Sequence, residues 1–225
     1  MVYNGSMPRI VTISLDEYYH CYNRGTDRRI IFLTQKDYLR FTVLLYACNS
    51  IKPIHISNFK SKDPIELFDI GRGESIVAIG AWCLMPNHFH LLLKEIKEGG
   101  ISLFMQRLLT AYTMYFNKRS HRKGTLYEGP YKFEHASKDR YLKYLSSYIH
   151  LNPVKLIDSK WKENGIKNRG KAKSFLESYE YSSYLDYKGI TRPQNKILNK
   201  AVFPEYFQTA KDFDQEINDW LSLSP

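Results

Sequence analysis

The stretch that most restricts the fold is residues 75–95. Residues 75–85 (SIVAIGAWCLM) are almost continuously apolar, as a central strand is. Pro86-Asn87 marks a tight turn, and residues 88–95 (HFHLLLKE) read as a second strand, so the pair predicts a hairpin. The other periodicities fall into order around it. Residues 9–23 (RIVTISLDEYYHCYN) are rich in β-branched and aromatic types and read as strand, followed by turn residues Arg24 to Asp27. Residues 35–49 read as helix, with Tyr38, Phe41, Leu45 and Cys48 at helical spacing and Thr34 as N-cap. Residues 50–74 carry Pro, Ser, Lys and Gly and read as a long loop. Residues 100–117 are a helix with one apolar stripe running from Ile101 to Phe116. Residues 125–135 read as a strand interrupted by Gly129-Pro130, which suits an edge or a bulge. Residues 137–151 read as helix, with Ser137 as its cap and Pro153 beyond its end.

The order strand, helix, strand, strand, helix, strand is the split βαβ arrangement of a ferredoxin-like α+β layer. It predicts an antiparallel sheet with helices on one face and an additional helix, 137–151, laid against the sheet. Beyond residue 155 the composition shifts. Residues 160–173 are basic and poorly periodic, and residues 203–223 read as a final helix. The chain thus divides into a unit over 1–157 and a C-terminal basic and helical extension over 158–225.

Lys and Arg number 33 against 23 Asp and Glu, a formal charge of +10. Such a balance favours a polyanion partner, nucleic acid being the usual one, although a merely basic protein also carries it. The 18 tyrosines and 12 phenylalanines interleaved with cations suit unpaired bases, whose faces stack on rings while cations hold phosphates; core rings with a polar tip account for the same count. Three scattered cysteines, Cys21, Cys48 and Cys83, without a CxxC pair speak against a disulfide framework and a cysteine zinc site. No apolar run approaches the ~18 residues of a membrane span, the N-terminal residues do not read as a signal peptide, and the cytoplasm is the expected compartment.

Two local patterns bear on chemistry. His88 and His90 lie at i and i+2 of a strand, so they project from one face while Phe89, Leu91 and Leu93 face the other. Such a pair is either half a metal site or two hydrogen-bonded structural imidazoles. Tyr148 and Asn152 are i, i+4 neighbours on a helix. The carboxamide suits a hard cation, and the phenol can attack a phosphodiester whose charge a metal offsets. The rival account is an aromatic stripe, Tyr141, Tyr144 and Tyr148, that simply packs. Together the patterns offer three ligands and one nucleophile around one cation.

On these residues the chain resembles the single-tyrosine HUH transposases, particularly the REP-associated tyrosine transposases, and through them the transposases of small insertion sequences that move as single strands. The matching blocks are Tyr-His-Cys-Tyr-Asn-Arg-Gly at 19–25, Met-Pro-Asn-His-Phe-His-Leu-Leu at 85–92 and Tyr-Ile-His-Leu-Asn-Pro-Val at 148–154. The resemblance covers roughly residues 9–157, and Tyr-Ser-Ser-Tyr at 181–184 adds a weaker match. It implies a ferredoxin-like fold, His88, His90 and Asn152 as ligands of Mg²⁺ or Mn²⁺, and Tyr148 as the nucleophile that takes the DNA 5′ end. Tyr144, one turn earlier, is the alternative nucleophile; its i+4 residue is Tyr148 rather than a ligand. His150 faces away from Tyr148 and reads as structural or surface.

The implied partner is single-stranded DNA with a hairpin, bound by a monomer or a homodimer. Contacts to it are expected from Asn23, Arg24, Arg28 and Arg29, and from Lys118, Arg119, Arg122 and Lys123, with Lys132 and Arg140 behind them. The basic stretch after residue 158 is a further candidate to clamp a hairpin. Two rival functions remain: a domesticated hairpin DNA- or RNA-binding protein that no longer cuts, and a zinc hydrolase built on His88 and His90.

Overall fold

The computed structural model describes residues 12–52, 54, 56 and 63–222. Among them the chain is α+β, with a four-stranded antiparallel sheet in the order β2-β3-β1-β4, the ferredoxin-like order. The strands are β1 (Tyr18–Arg24), β2 (Val77–Met85), β3 (His88–Glu95) and β4 (Lys132–His135). The helices are α1 (Gln35–Ala47), α2 (Gly100–Arg119), α3 (Asp139–Leu151), α4 (Trp161–Asn164), α5 (Arg169–Ser178), α6 (Tyr184–Tyr187) and α7 (Ala210–Ser222).

Alternation along the strands sorts the side chains into two cores. Tyr19, Cys21, Trp82, Leu84, Phe89, Leu91 and Leu93 face α1 and α2, where Phe41, Leu45, Phe104, Leu108 and Tyr112 complete one buried cluster. Ala81, Cys83, Met85 and Leu92 face the other way and meet Leu142, Leu145 and Ile149 of α3. The expected extra helix is therefore the cover of the second face. Each fully buried Leu, Ile or Phe contributes about 1.5–3 kcal/mol, so both faces drive the layering. A third cluster, with Leu151, Val154, Leu176, Tyr184, Phe213 and Ile217, joins the end of α3 to the C-terminal helices.

Several boundaries differ from expectation. β1 covers only the later part of the predicted 9–23, and residues 9–11 lie outside the described residues. α3 begins at Asp139, its N-cap position taken by Lys138 without a side-chain bond, so Ser137 is not the cap. Thr34 does cap α1, in a reciprocal capping box with Asp37. The hairpin of β2 and β3 is as predicted, but β2 is an edge strand and not a central one. It is apolar because the C-terminal chain covers its outer edge. Leu84 N–H donates to the Tyr181 carbonyl (2.9 Å) and Ser183 N–H to the Trp82 carbonyl (2.9 Å). Asn199 N–H donates to the Ile79 carbonyl (2.9 Å) and Tyr187 Oη to that of Gly80 (2.8 Å). Gly80 sits at a bulge in the β2–β3 register, with the Phe203 ring so close that a Cβ would stand 2.6 Å from it.

Candidate active site

Register places the site. In an antiparallel pair, opposed residues share a face. His88 stands opposite Arg24 and His90 opposite Tyr22, while Tyr22 and His20 stand opposite Lys132 and Glu134 of β4. One sheet face thus gathers three imidazoles, two cations, a phenol and a carboxylate. α3 crosses this face on Leu142, Leu145 and Ile149, which turns Tyr148 toward the imidazoles. The Tyr148 ring centroid lies 5.8 Å from that of His90 and 6.2 Å from that of His20, edge to face with each. These groups line a cleft of about 400 Å³, with Arg24, Lys132 and Lys155 among its walls.

The partners of His88 fix its tautomer. Asn87 Nδ2 donates to the Arg28 carbonyl (3.2 Å), which turns Asn87 Oδ1 to His88 Nδ1 at 2.6 Å. That oxygen only accepts, so His88 carries its proton on Nδ1 and keeps a lone pair on Nε2. Burial first, then the charges of Arg24 and Lys155, lower His88 to about 4, so the ring is neutral at pH 7. His90 Nδ1 lies 2.9 Å from His20 Nε2, both rings buried and stacked.

Asn152 is fully buried at the end of α3 and is not among the residues that line the cleft. Its Nδ2 donates to the Tyr148 carbonyl (3.1 Å), while its Oδ1 is buried without a hydrogen-bond partner. An unsatisfied buried carboxamide oxygen is costly unless something ligates it. Among the described residues no three His, Cys, Asp or Glu side chains gather around a possible ion. In their chemistry, two imidazoles and a carboxamide oxygen form a mixed donor set of the kind a hard ion accepts.

The other tyrosines have different engagements. Tyr22 and Tyr141 donate to the two oxygens of Glu134 (2.8 and 3.0 Å), and burial with that carboxylate pushes both up to about 12. Tyr144 stacks between Tyr141 and Tyr148 and meets Trp220 of α7, half-exposed. His150 faces away, as expected, fully buried with Nε2 2.7 Å from Ser183 Oγ.

The expected DNA contacts separate into groups. Asn23 is buried, its Nδ2 donating to the Gly129 carbonyl (3.0 Å) and its Oδ1 accepting from Arg24 N–H (2.8 Å), so it shapes the cleft rim. Arg24 lines the cleft. Arg28 is exposed on the turn after β1, while Arg29 is half-buried, its Nε donating to the Thr26 carbonyl (3.0 Å); Asp27 and Arg28 there take left-handed conformations (φ 56° and 57°) that non-glycine residues rarely adopt. Gly25 opens that turn because a Cβ there would stand 2.5 Å from the Arg29 carbonyl oxygen. The chain after α2 runs beside it, Thr26 N–H donating to the Leu126 carbonyl (3.0 Å). Lys118 and Lys123 are exposed, Arg122 packs on the Phe116 ring, and Arg119 is bound to the buried Asp37. His20 and Lys155 escaped the sequence reading. His20 alternates with Tyr22 and Arg24, a spacing that assigns it to their face, but the partner strand is not written in the spacing. Lys155 follows Tyr148 by two helical turns, an interval obscured by Pro153; its Nζ stands 5.9 Å from the Tyr148 ring centroid.

No helix among the described residues is long and apolar enough to cross a membrane. A comparison with curated proteins finds no match. Among solved structures the chain is similar to one described as "Structure of the REP associates tyrosine transposase bound to a REP hairpin", at 12% identity and a TM-score of 0.47, covering 84% of this chain and 90% of that one. Residues 61–152 match the family model described as "Transposase IS200 like". That stretch holds His88, His90, Tyr148 and Asn152.

Proposed function

We propose that this chain is a transposase that cuts and rejoins hairpin-bearing single-stranded DNA through a covalent bond between Tyr148 and the DNA 5′ end. The observation that carries this reading is the single cleft in which Tyr148 meets the His88 and His90 face beside Arg24, Lys132 and Lys155. His88, His90 and Asn152 would hold Mg²⁺ or Mn²⁺, which supplies positive charge to the non-bridging oxygens of the scissile phosphate.

The chain's own residues do the rest. The phosphate enters a cleft whose cations favour a dianionic transition state over the monoanionic ground state. Tyr148 Oη attacks phosphorus. Its bond to phosphorus forms as the bond to O3′ breaks, the electron pair leaves with O3′, and the phenol proton passes to solvent while O3′ takes one up. The Asn152 bond to the Tyr148 carbonyl holds nucleophile and carboxamide in one helical turn. The phosphotyrosine retains the bond energy, so attack by another 3′-hydroxyl rejoins DNA without a nucleotide triphosphate.

The test is a labelled single-stranded oligonucleotide, copied from hairpin-forming DNA beside the gene, mixed with protein and Mn²⁺ or Mg²⁺ and run on a denaturing gel. The expected result is a metal-dependent adduct with the wild type and none with Tyr148→Phe. An adduct that persists in Tyr148→Phe moves the nucleophile to Tyr144. Hairpin binding without any adduct supports the non-cutting binder instead.

A further inference from the structure

The chemistry assigned above uses two imidazoles, yet the structure packs three together. His20 comes from β1, is 5% exposed, and lies with its ring stacked on that of His90, centroids 5.0 Å apart at 23°. Its Nε2 is 2.9 Å from His90 Nδ1. A hydrogen bond there needs one donor and one acceptor, so the pair has two arrangements when neutral. If His20 donates, His90 Nδ1 accepts and the His90 proton sits on Nε2, which cannot then ligate. If His90 donates from Nδ1, its Nε2 keeps a lone pair for a cation.

The neighbouring His88 shows the second arrangement reached independently. Asn87 Oδ1 takes the His88 Nδ1 proton, and Asn87 is itself oriented by the Arg28 carbonyl. Both imidazoles of an HxH pair must offer the same kind of atom to share one ion. A partner on the remote ring nitrogen sets that choice and the ring angle together. His20 is also edge-on to Tyr148, so the same ring borders nucleophile and ligand.

We propose that His20 is a positioning residue that accepts the His90 Nδ1 proton and so keeps His90 Nε2 available for a divalent cation. The inference rests on His90 being a ligand, but its first measurement does not. Nitrogen-15 NMR of the metal-free protein, with His20→Gln, His20→Phe and His90→Gln for assignment, reads which His90 nitrogen carries the proton. The expected result is protonation on Nδ1 in the wild type and in His20→Gln, whose carboxamide oxygen can accept, and a shift toward Nε2 in His20→Phe. Mn²⁺ titration followed by electron paramagnetic resonance should then show affinity lowered roughly 10–100-fold in His20→Phe and largely restored in His20→Gln. A wild-type His90 protonated on Nε2 overturns the inference, even if His20→Phe fails to fold. So does a folded His20→Phe with unchanged tautomer and Mn²⁺ affinity. Wild-type protein that binds no Mn²⁺ while His90 carries its proton on Nδ1 counts against the metal-dependent reading and leaves the His20–His90 bond standing.

Discussion

At the scale of single residues, Lys155 separates charge from packing. Its ammonium stands over the Tyr148 ring and acts on His88, so it faces both the nucleophile and the imidazole pair. Lys155→Met keeps the stem and removes the charge. It should slow cleavage roughly 10–100-fold in single turnover, with hairpin binding changed far less, and Lys155→Arg should recover most of the rate. Equal losses in binding and rate would make Lys155 an ordinary DNA contact. The residue scale is also where the sequence was most legible. Spacing alone put His88 and His90 on one strand face, and Tyr148 and Asn152 on one helix turn. It could not show that Asn23 spends its carboxamide on Gly129 and Arg24, or that Arg119 is drawn to Asp37, because both depend on what the fold brings alongside.

At the scale of elements, Asp37 locks the start of α1 to the end of α2. Its carboxylate accepts from Leu33 N–H (2.9 Å), Thr34 N–H (2.8 Å) and Tyr115 Oη (3.0 Å), and pairs with Arg119. Burial alone would raise its pKa, but the Arg119, Thr34 and Tyr115 bonds outweigh it and hold the carboxyl below the usual range. Asp37→Ala leaves several donors without an acceptor and should cost about 2–4 kcal/mol in urea unfolding. The sign of the pH effect follows. The folded-state value lies below the unfolded one of about 3.9, so this contribution is complete above roughly pH 4 and fades as pH falls further. Asp37→Asn should therefore lose stability less steeply than wild type between about pH 4 and 2, read from urea midpoints. A parallel decline in the two proteins would remove Asp37 from the account. Element type and order were legible from period and turn chemistry. The place of β2 was not, since a strand covered by helices on one side, α3 on the other and a distant chain on its edge reads the same as a central one.

At the scale of the whole molecule, the C-terminal chain completes the sheet. A protein ending after residue 178 lacks Tyr181 to Ser183 and Asn199, and bares the β2 edge beside an apolar strand. Such edges pair with other copies. Size-exclusion chromatography with light scattering should show self-association of the truncated chain beyond that of the full chain; a truncated chain with the same oligomeric state and melting temperature would make the strand cover dispensable. The cover also has a consequence in time. Trp82 and Ser183 are 101 residues apart. At about 5–20 residues per second, a ribosome needs roughly 5–20 s to make the segment that shields β2 after β2 itself emerges. During that interval the most apolar strand of the protein is a nascent chain with one open side, and the speed of translation, rather than the strength of any contact, sets how long it stays so.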